Sequence, residues 1–186
     1  MANSINQVTL AKGAKANLGD IEKAAIAGVE QGNNVFTGGN NFGAKLLAAG
    51  TGHTLTAADS GKTIIFNSAD ATTVKLPAPA IGMVFNFVTA VTATADHVIQ
   101  AETDDEGMIG GCVYTNTTAD QTNAFAADTD GSNDFITMNG TTTGGHAGST
   151  WRIVGILAAS AAACWVATGQ LIGSGNTITP FGDSQI

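Results

Sequence analysis

The side chains of this chain with the clearest chemical potential lie in one short acidic loop. Asp128, Asp130 and Asp134 are spaced so that their carboxylates could converge, and Gly131 supplies a bend between them. Hard oxygen ligands at alternate positions with such a glycine are typical of a calcium loop, but no Glu stands at the distance of the bidentate ligand that completes one. We therefore expect a polar turn built from Asp, Gly and Asn. A weak calcium site at these three aspartates is the alternative, and no cofactor is expected.

Three further groups of reactive side chains lack the context that catalysis needs. The segment Ser60–Thr63 resembles the end of a phosphate-binding loop, but the first glycine of that loop is absent and a strand follows in place of a helix. Four acids within Glu102–Glu106 indicate a solvated loop tip, because no nucleophile lies near them. His53, His97 and His146 show no metal-ligand spacing. The sequence therefore predicts that the chain is not an enzyme.

Charge is scarce and unevenly distributed along the chain. The 186 residues carry 7 Lys and Arg against 15 Asp and Glu, a net charge of −8 at pH 7. Residues 1–45 hold four Lys against three acids, whereas residues 46–186 hold three basic residues against twelve acids. This acidic body argues against a nucleic-acid partner, because neutralising phosphates needs Lys and Arg. The change in charge indicates two parts with different surroundings.

The two cysteines and the hydropathy pattern indicate a soluble chain made in a reducing compartment. Cys112 and Cys164 form no metal-binding pair, and we expect two buried free thiols, with a disulfide between them as the alternative. The first residues lack the basic start and the apolar run of a signal peptide. The longest apolar run, Ile153–Ala159, is too short to cross a bilayer. We therefore expect no membrane partner.

Beyond residue 48 the sequence alternates apolar and polar residues with the period of β-strands. The clearest stretch is residues 74–88, in which Pro77 and Pro79 remove backbone donors and separate two strands. Short strands at roughly ten-residue spacing predict an all-β fold, an antiparallel β-sandwich or jelly roll, over residues 49–186 with a short C-terminal tail. In the second strand of the stretch, the side chains predicted to share the core face are Met83, Phe85 and Phe87, and those on the opposite face are Val84, Asn86 and Val88.

The strongest single strand pattern spans residues 150–157, and residues 164–168 are its expected hairpin partner. Trp151 and Trp165 fall on these strands and are expected to pack in the core or at a sheet edge, with carbohydrate stacking as the alternative. The stretches expected to be loops are residues 115–133 and 139–149.

Residues 1–48 show no strong period and predict an extended N-terminal arm. The segment Asn17–Glu30 is compatible with one short helix, with Asp20 as its N-cap. An arm with scattered apolar anchors is expected to dock on a neighbouring subunit, and a partly disordered terminus is the alternative. The side chains expected to make that contact are Ile21, Ile26, Val29, Phe36 and Phe42.

Four segments of the chain resemble the β-sandwich modules of tailed-bacteriophage virion proteins. The segments are Leu55–Ile64, Thr73–Pro77, Gly82–Phe87 and Cys164–Gly169. Such modules occur in head decoration (cement) proteins and in fibre or tail-appendage proteins. The resemblance is a pattern of strand and turn signals over about residues 50–172 and does not include the arm. It brings no catalytic or ligand residue with it.

The resemblance implies a structural virion protein made in the host cytoplasm. The function expected first is that of a cement protein, which binds the major capsid protein on the outside of a phage head and stabilises capsomer junctions. Capsid lattices carry threefold positions, so a homotrimer is expected. The arm and one end of the sandwich would then contact the shell, and the loops at the other end would face solvent. The alternatives are a tail-fibre or receptor-binding module and a carbohydrate-binding β-sandwich module.

Overall fold

The computed structural model describes residues 43–157 and 163–183, and regular structure within them is almost all β-strand. Twelve strands form two sheets in this part of the chain, together with one 3₁₀ turn at Ala57–Asp59. No helix among the described residues has the length and hydropathy needed to span a membrane. The strands are β1 (Ala44–Leu47), β2 (Gly50–Thr54), β3 (Thr63–Phe66), β4 (Thr72–Lys75), β5 (Val84–Thr89), β6 (His97–Gln100), β7 (Met108–Asn116), β8 (Gln121–Ala126), β9 (Phe135–Met138), β10 (Thr150–Leu157), β11 (Ala163–Gly173) and β12 (Phe181–Gly182).

The chain alternates between the two sheets from β1 to β7. The seven-stranded sheet has the order β1-β3-β5-β10-β11-β7-β8, and the five-stranded sheet has the order β12-β9-β6-β4-β2. Strands β1, β3 and β5 are parallel neighbours in the larger sheet, as β2, β4 and β6 are in the smaller one. Ala44 lies opposite Thr63, and Thr63 lies opposite Asn86, so successive coils take 19 and 23 residues. The first half of the described chain is therefore a flattened coil.

The prediction of an all-β, sandwich-like fold is confirmed, but the strand directions differ from those of an antiparallel sandwich or jelly roll. Residues 74–88 show the reason. Val74 belongs to β4 in the smaller sheet, whereas Phe85 belongs to β5 in the larger one. The corner at Pro77 and Pro79 carries the chain across the core, where a hairpin would have kept it in one sheet. Each strand then returns to its own sheet in the same direction as before, so its neighbours are parallel.

The inner faces of the two sheets pack into one hydrophobic core. Phe85 and Phe87 are buried, and Met83 packs against the core from its rim, as predicted. The rings of Phe85 and Trp165 lie 5.7 Å apart between centroids. Trp151 donates its indole N–H toward a sulfur of the smaller sheet, 3.3 Å away. The expectation that both tryptophans are core residues is confirmed, since their exposed fractions are 2% and 0%.

Strands β10 and β11 form the expected antiparallel pair, with Trp151 opposite Gly169. Strand β11 continues without a break to Gly173, beyond the predicted partner segment 164–168. The ring of Trp151 occupies the space that a side chain at position 169 would need, because a Cβ there would lie 2.6 Å from its Cε3. A glycine in the middle of this strand is therefore a packing requirement.

Two strands lie where the sequence pattern predicted other structure. Strand β8 falls inside the stretch 115–133, and β7 extends into it as far as Asn116, so the loop predicted for most of that stretch is found only at residues 117–120 and 127–133. Phe125 is the only large apolar side chain of β8, and the exposure of an edge strand allows its other positions to be polar or small. Strand β1 lies in the last residues of the predicted arm, pairs with β3 and buries Leu47 completely.

Candidate interaction surface

The side of the seven-stranded sheet that faces away from the core, named here the outer face, carries a line of aliphatic side chains. Val84, Val154, Val166 and Ile109 lie opposite one another in register on β5, β10, β11 and β7. We name these four the aliphatic row. All four are half-buried. The row crosses four adjacent strands and forms a continuous apolar stripe.

A row of polar side chains runs beside the aliphatic row. Asn86, Arg152 and Thr168 lie opposite one another on β5, β10 and β11 and form the polar row. Together with Thr150 and Gln170 they line a shallow groove of about 400 Å³. The guanidinium donates hydrogen bonds only, the amides both donate and accept, and the hydroxyls do likewise. The groove therefore suits a partner that offers carboxyl, carbonyl or hydroxyl groups.

Apolar side chains of the outer face also lie beyond the aliphatic row, from the edge strand β1 to β7. Leu46 on β1 is 64% exposed, and Val113 on β7 is 45% exposed. Between them, Ile65 and Val88 face the same way on β3 and β5, opposite each other in register. Exposed side chains of this kind show that the described residues leave the face open.

The outer face carries no carboxylate among the residues that the structure describes. The twelve acids of residues 46–186 lie in loops, in turns and in the 3₁₀ turn, and none lies on a described strand. Arg152 is the charged side chain of the face within residues 43–157 and 163–183. The corresponding side of the smaller sheet is mainly polar, through Thr73, Lys75, Gln100 and Thr137. An acidic protein thus presents one broad surface that carries an aliphatic row beside a polar row and no acids on its described strands.

Asp59 forms an ion-pair cluster at one end of the larger sheet. Its Oδ2 lies 3.2 Å from Lys45 Nζ, and its Oδ1 lies 2.9 Å from Lys62 Nζ. Oδ2 also accepts the backbone N–H of Thr56 at 3.0 Å and so caps the 3₁₀ turn. Burial alone would raise the pKa of Asp59, but the hydrogen bonds from Lys62, Thr56 and Lys45 outweigh it and lower the pKa to about 2. Within Ser60–Thr63, the side chain of Lys62 is therefore engaged in a structural ion pair. Strand β3 begins at Thr63, where the sequence predicted a strand in place of a helix.

The aspartates considered as a weak calcium site lie in different environments. Asp134 is fully buried, whereas Asp128 and Asp130 are exposed. The N–H of Ser132 donates to Asp130 Oδ1 at 3.0 Å, and the N–H of Asp128 donates to Asn133 Oδ1 at 2.7 Å. In the described part of the chain, no group of three or more His, Cys, Asp or Glu side chains could hold a metal ion. The hydrogen bonds are those of a polar turn.

The three histidines occupy separate local settings. His97 is fully buried and stacks on Phe66 with ring centroids 4.6 Å apart, and burial lowers the pKa of its imidazole. His53 places Nε2 2.9 Å from the carbonyl oxygen of Ala48. His146 anchors its loop through a backbone hydrogen bond to β11. Each histidine therefore belongs to its own piece of local structure.

Cys112 and Cys164 are both buried and free, as predicted. Cys112 lies opposite Gly169 on the core side of β7, whereas Cys164 lies opposite Ile156 on the other side of β11. Five residues of β11 separate position 164 from position 169, a distance of about 16 Å along a strand. A disulfide needs Cα atoms within about 7 Å, so these two cysteines cannot pair in this fold. Burial raises the pKa of the Cys112 thiol to about 12.

The side chains predicted to contact a shell lie outside the described residues. They are Ile21, Ile26, Val29, Phe36 and Phe42. The outer face, in contrast, was not singled out from the sequence. Its signal is visible in β10, where Trp151 and Ile153 on one side and Val154 and Ile156 on the other are all apolar. A strand that is apolar on both sides indicates cover on both faces of its sheet.

The chain matches no protein-family model, no curated protein and no solved structure. The outer face and its chemistry are therefore the features of the described chain that bear most directly on function.

Proposed function

We propose that this chain is a non-enzymatic structural protein that works by packing against other protein subunits. Its proposed place is the outside of a tailed-phage head, where it binds the major capsid protein and cements the capsomer junctions. The observation that carries the packing role is the outer face, which bears the aliphatic row and the exposed side chains of Leu46 and Val113 and is free of carboxylates in the described chain. Large exposed apolar surfaces mark sites of protein contact. The resemblance of the strand and turn segments to phage virion modules suggests the particle.

A structural role also accounts for the reactive side chains. Asp59 is engaged in two ion pairs and a turn cap, and His97 is stacked inside the core. The Cys112 thiol is buried with a pKa of about 12, so it is not a nucleophile at neutral pH. These three groups serve folding, and the open groove at Arg152 lacks the enclosure of most catalytic pockets.

The proposed assembly is a homotrimer on the capsid surface, made in the host cytoplasm. Threefold positions of a shell match a cyclic trimer, and three linked copies gain avidity from contacts that are weak singly. The acids, all placed off the described strands, would keep the free protein soluble before it binds. Buried free thiols are compatible with folding in a reducing compartment.

The proposal is tested by separating the proteins of purified virus particles from the source of this sequence on a gel. A band of this chain at a ratio near one to the major capsid protein is the expected result. Absence of the chain from particles would contradict the proposal. A few copies per particle would favour an appendage.

A receptor-binding module of a tail fibre is the second candidate, and the groove on the outer face favours it. Arg152, Asn86 and Gln170 offer the guanidinium and amide groups that hydrogen-bond to sugar hydroxyls. A glycan array separates this candidate from cement, with Arg152→Ala as the variant that should lose any signal. Trp151 and Trp165 lie in the core, so a free carbohydrate-binding module could not use either ring for stacking.

A further inference from the structure

We propose that the outer face of the seven-stranded sheet is the surface through which copies of this chain bind one another. This inference rests on the proposed function, because it takes the outer face to be an assembly contact. It goes further by naming a second copy of the chain as the partner of this surface. Contacts with a shell would then be made by other parts of the molecule.

The size of the outer face suits a stable interface between copies. Seven strands spaced by about 4.8 Å make a surface about 30 Å wide, and a strand of eight residues, as β10 is, extends about 26 Å. The product is close to the roughly 800 Å² that each partner contributes to a typical specific complex. The face is therefore large enough to support association without further contacts.

The distribution of charge favours a second copy at this surface. Every copy carries a net charge of −8, so two copies repel each other wherever acidic loops meet. Neither sheet carries a carboxylate on its described strands, so copies that meet through a sheet face keep their acidic loops out of the contact. The smaller sheet, in comparison, presents mainly threonine, lysine and glutamine to its outside. Of the two sheet faces, the outer face is the one with an aliphatic row that two copies can bury against each other.

The chemistry of the rows is self-complementary. The aliphatic row of one copy can pack on that of another at the spacing of about 10 Å seen between stacked sheets. The polar row offers donors at Arg152 and amide oxygens at Asn86, with Gln170 beside them. The polar rows of two symmetric copies can thus form hydrogen bonds with each other. A row made of donors alone could not form such bonds with an identical row.

The test is the oligomeric state of the purified full-length chain at micromolar concentrations, measured by light scattering after size exclusion. The wild type is expected to associate. Val154→Lys places a charge in the centre of the aliphatic row and is expected to weaken association about 10-fold or more for each copy of the contact. Because this lysine lowers the net charge from −8 to −7, it reduces general repulsion, and lost association then reports the contact itself.

The matched control is Ile178→Lys, which makes the same chemical change at a side chain that is 55% exposed and lies off the sheets. It should leave the oligomer intact. Circular dichroism establishes that both variants are folded, as expected for side chains that point away from the core. If Val154→Lys fails to fold, a double variant with Val84→Thr and Val166→Thr replaces it. Threonine keeps the shape and the strand propensity of valine but removes apolar contact. This variant is also expected to weaken association.

A monomeric wild-type chain would overturn the inference. An oligomer that survives Val154→Lys, or the threonine pair where that variant is used, would overturn it as well. A dimer in place of a trimer would support the inference and contradict only the stoichiometry of the proposed function. Absence of the chain from virus particles would contradict the proposed function and leave the self-contact standing.

Discussion

At the scale of single residues, Asp59 shows how charged groups serve this fold. Its side chain is 10% exposed and joins Lys45 of β1, Lys62 before β3 and the N–H of Thr56. Three partners on separate segments fix the start of the larger sheet to the 3₁₀ turn. A carboxylate with such partners is stabilised in its charged form, which is why its pKa is lowered in spite of burial.

The pH dependence of stability should report this cluster. In the folded state the pKa of Asp59 is lowered from 3.8 to about 2. A lowered pKa contributes stability that is present above the unfolded value of about 4 and is lost as the pH falls toward 2. The contribution is about 2 kcal/mol. Asp59→Asn should therefore lower the free energy of unfolding at pH 7 and flatten its decline between pH 4 and pH 2, as measured by urea unfolding at each pH.

Asp104→Asn, in the exposed acidic turn, is the control for loss of one negative charge. A decline below pH 4 that is equally steep in the wild type and in Asp59→Asn would contradict the role assigned to the cluster.

At the scale of elements, the β10–β11 pair holds the centre of the larger sheet together. Gly169 of β11 lies under the ring of Trp151 of β10. The ring is held from the other side by Phe181, with centroids 5.5 Å apart in an edge-to-face arrangement, and by its N–H contact with Met138. The strand pair and the smaller sheet therefore meet at one side chain that has little room to move.

Gly169→Ala should be destabilising for this reason. The new Cβ would lie 2.6 Å from Cε3 of Trp151, and the ring cannot retreat without disturbing its contacts with the smaller sheet. Overpacking of this kind costs about 1–3 kcal/mol. Gly43→Ala is the matched control, since a Cβ there meets nothing within 4 Å, and it should leave stability unchanged. Chemical denaturation of the two variants measures the difference, and equal stabilities would contradict the packing argument.

At the scale of the whole molecule, the path of the chain between two sheets decides which residues meet. Parallel strands β1, β3 and β5 arise because every corner crosses the core, and the later hairpin β10–β11 inserts between β5 and β7. This insertion places Cys112 and Cys164 on opposite sides of neighbouring strands. The redox state of the protein therefore follows from its topology.

Both thiols should remain free even after exposure to air. The native protein should react slowly with a thiol reagent at pH 8, because Cys112 and Cys164 are buried and burial raises the pKa of both. Two equivalents should react at once in guanidinium chloride. A non-reducing denaturing gel with an intramolecular disulfide band, or prompt native reaction of both thiols, would contradict the described register.

The alternation of side chains was enough to predict the strands and their core faces in the middle of the chain. Phe85 and Phe87 point inward and Val88 outward because a period of two is a property of any strand. Side chains alternate in the same way in parallel and in antiparallel sheets. The alternation therefore could not distinguish the observed coil, which has parallel neighbours, from a meander of antiparallel hairpins. Strand β8 was not predicted because it lies at the edge of its sheet, where polar residues such as Gln121 are tolerated and the alternation of apolar and polar side chains is lost.

For this protein the sequence by itself determined an acidic, nearly all-β chain, and it favoured two free thiols and packed tryptophans. Those properties depend on the amino-acid composition, on the spacing of particular residues and on the alternation of apolar and polar side chains, all of which can be read from the sequence. The tertiary structure alone decided that the chain crosses between two mixed sheets and that β5, β10, β11 and β7 stand side by side. The aliphatic row exists only because four strands distant in sequence share one register. Such a surface is a product of long-range pairing, and long-range pairing cannot be deduced from local patterns.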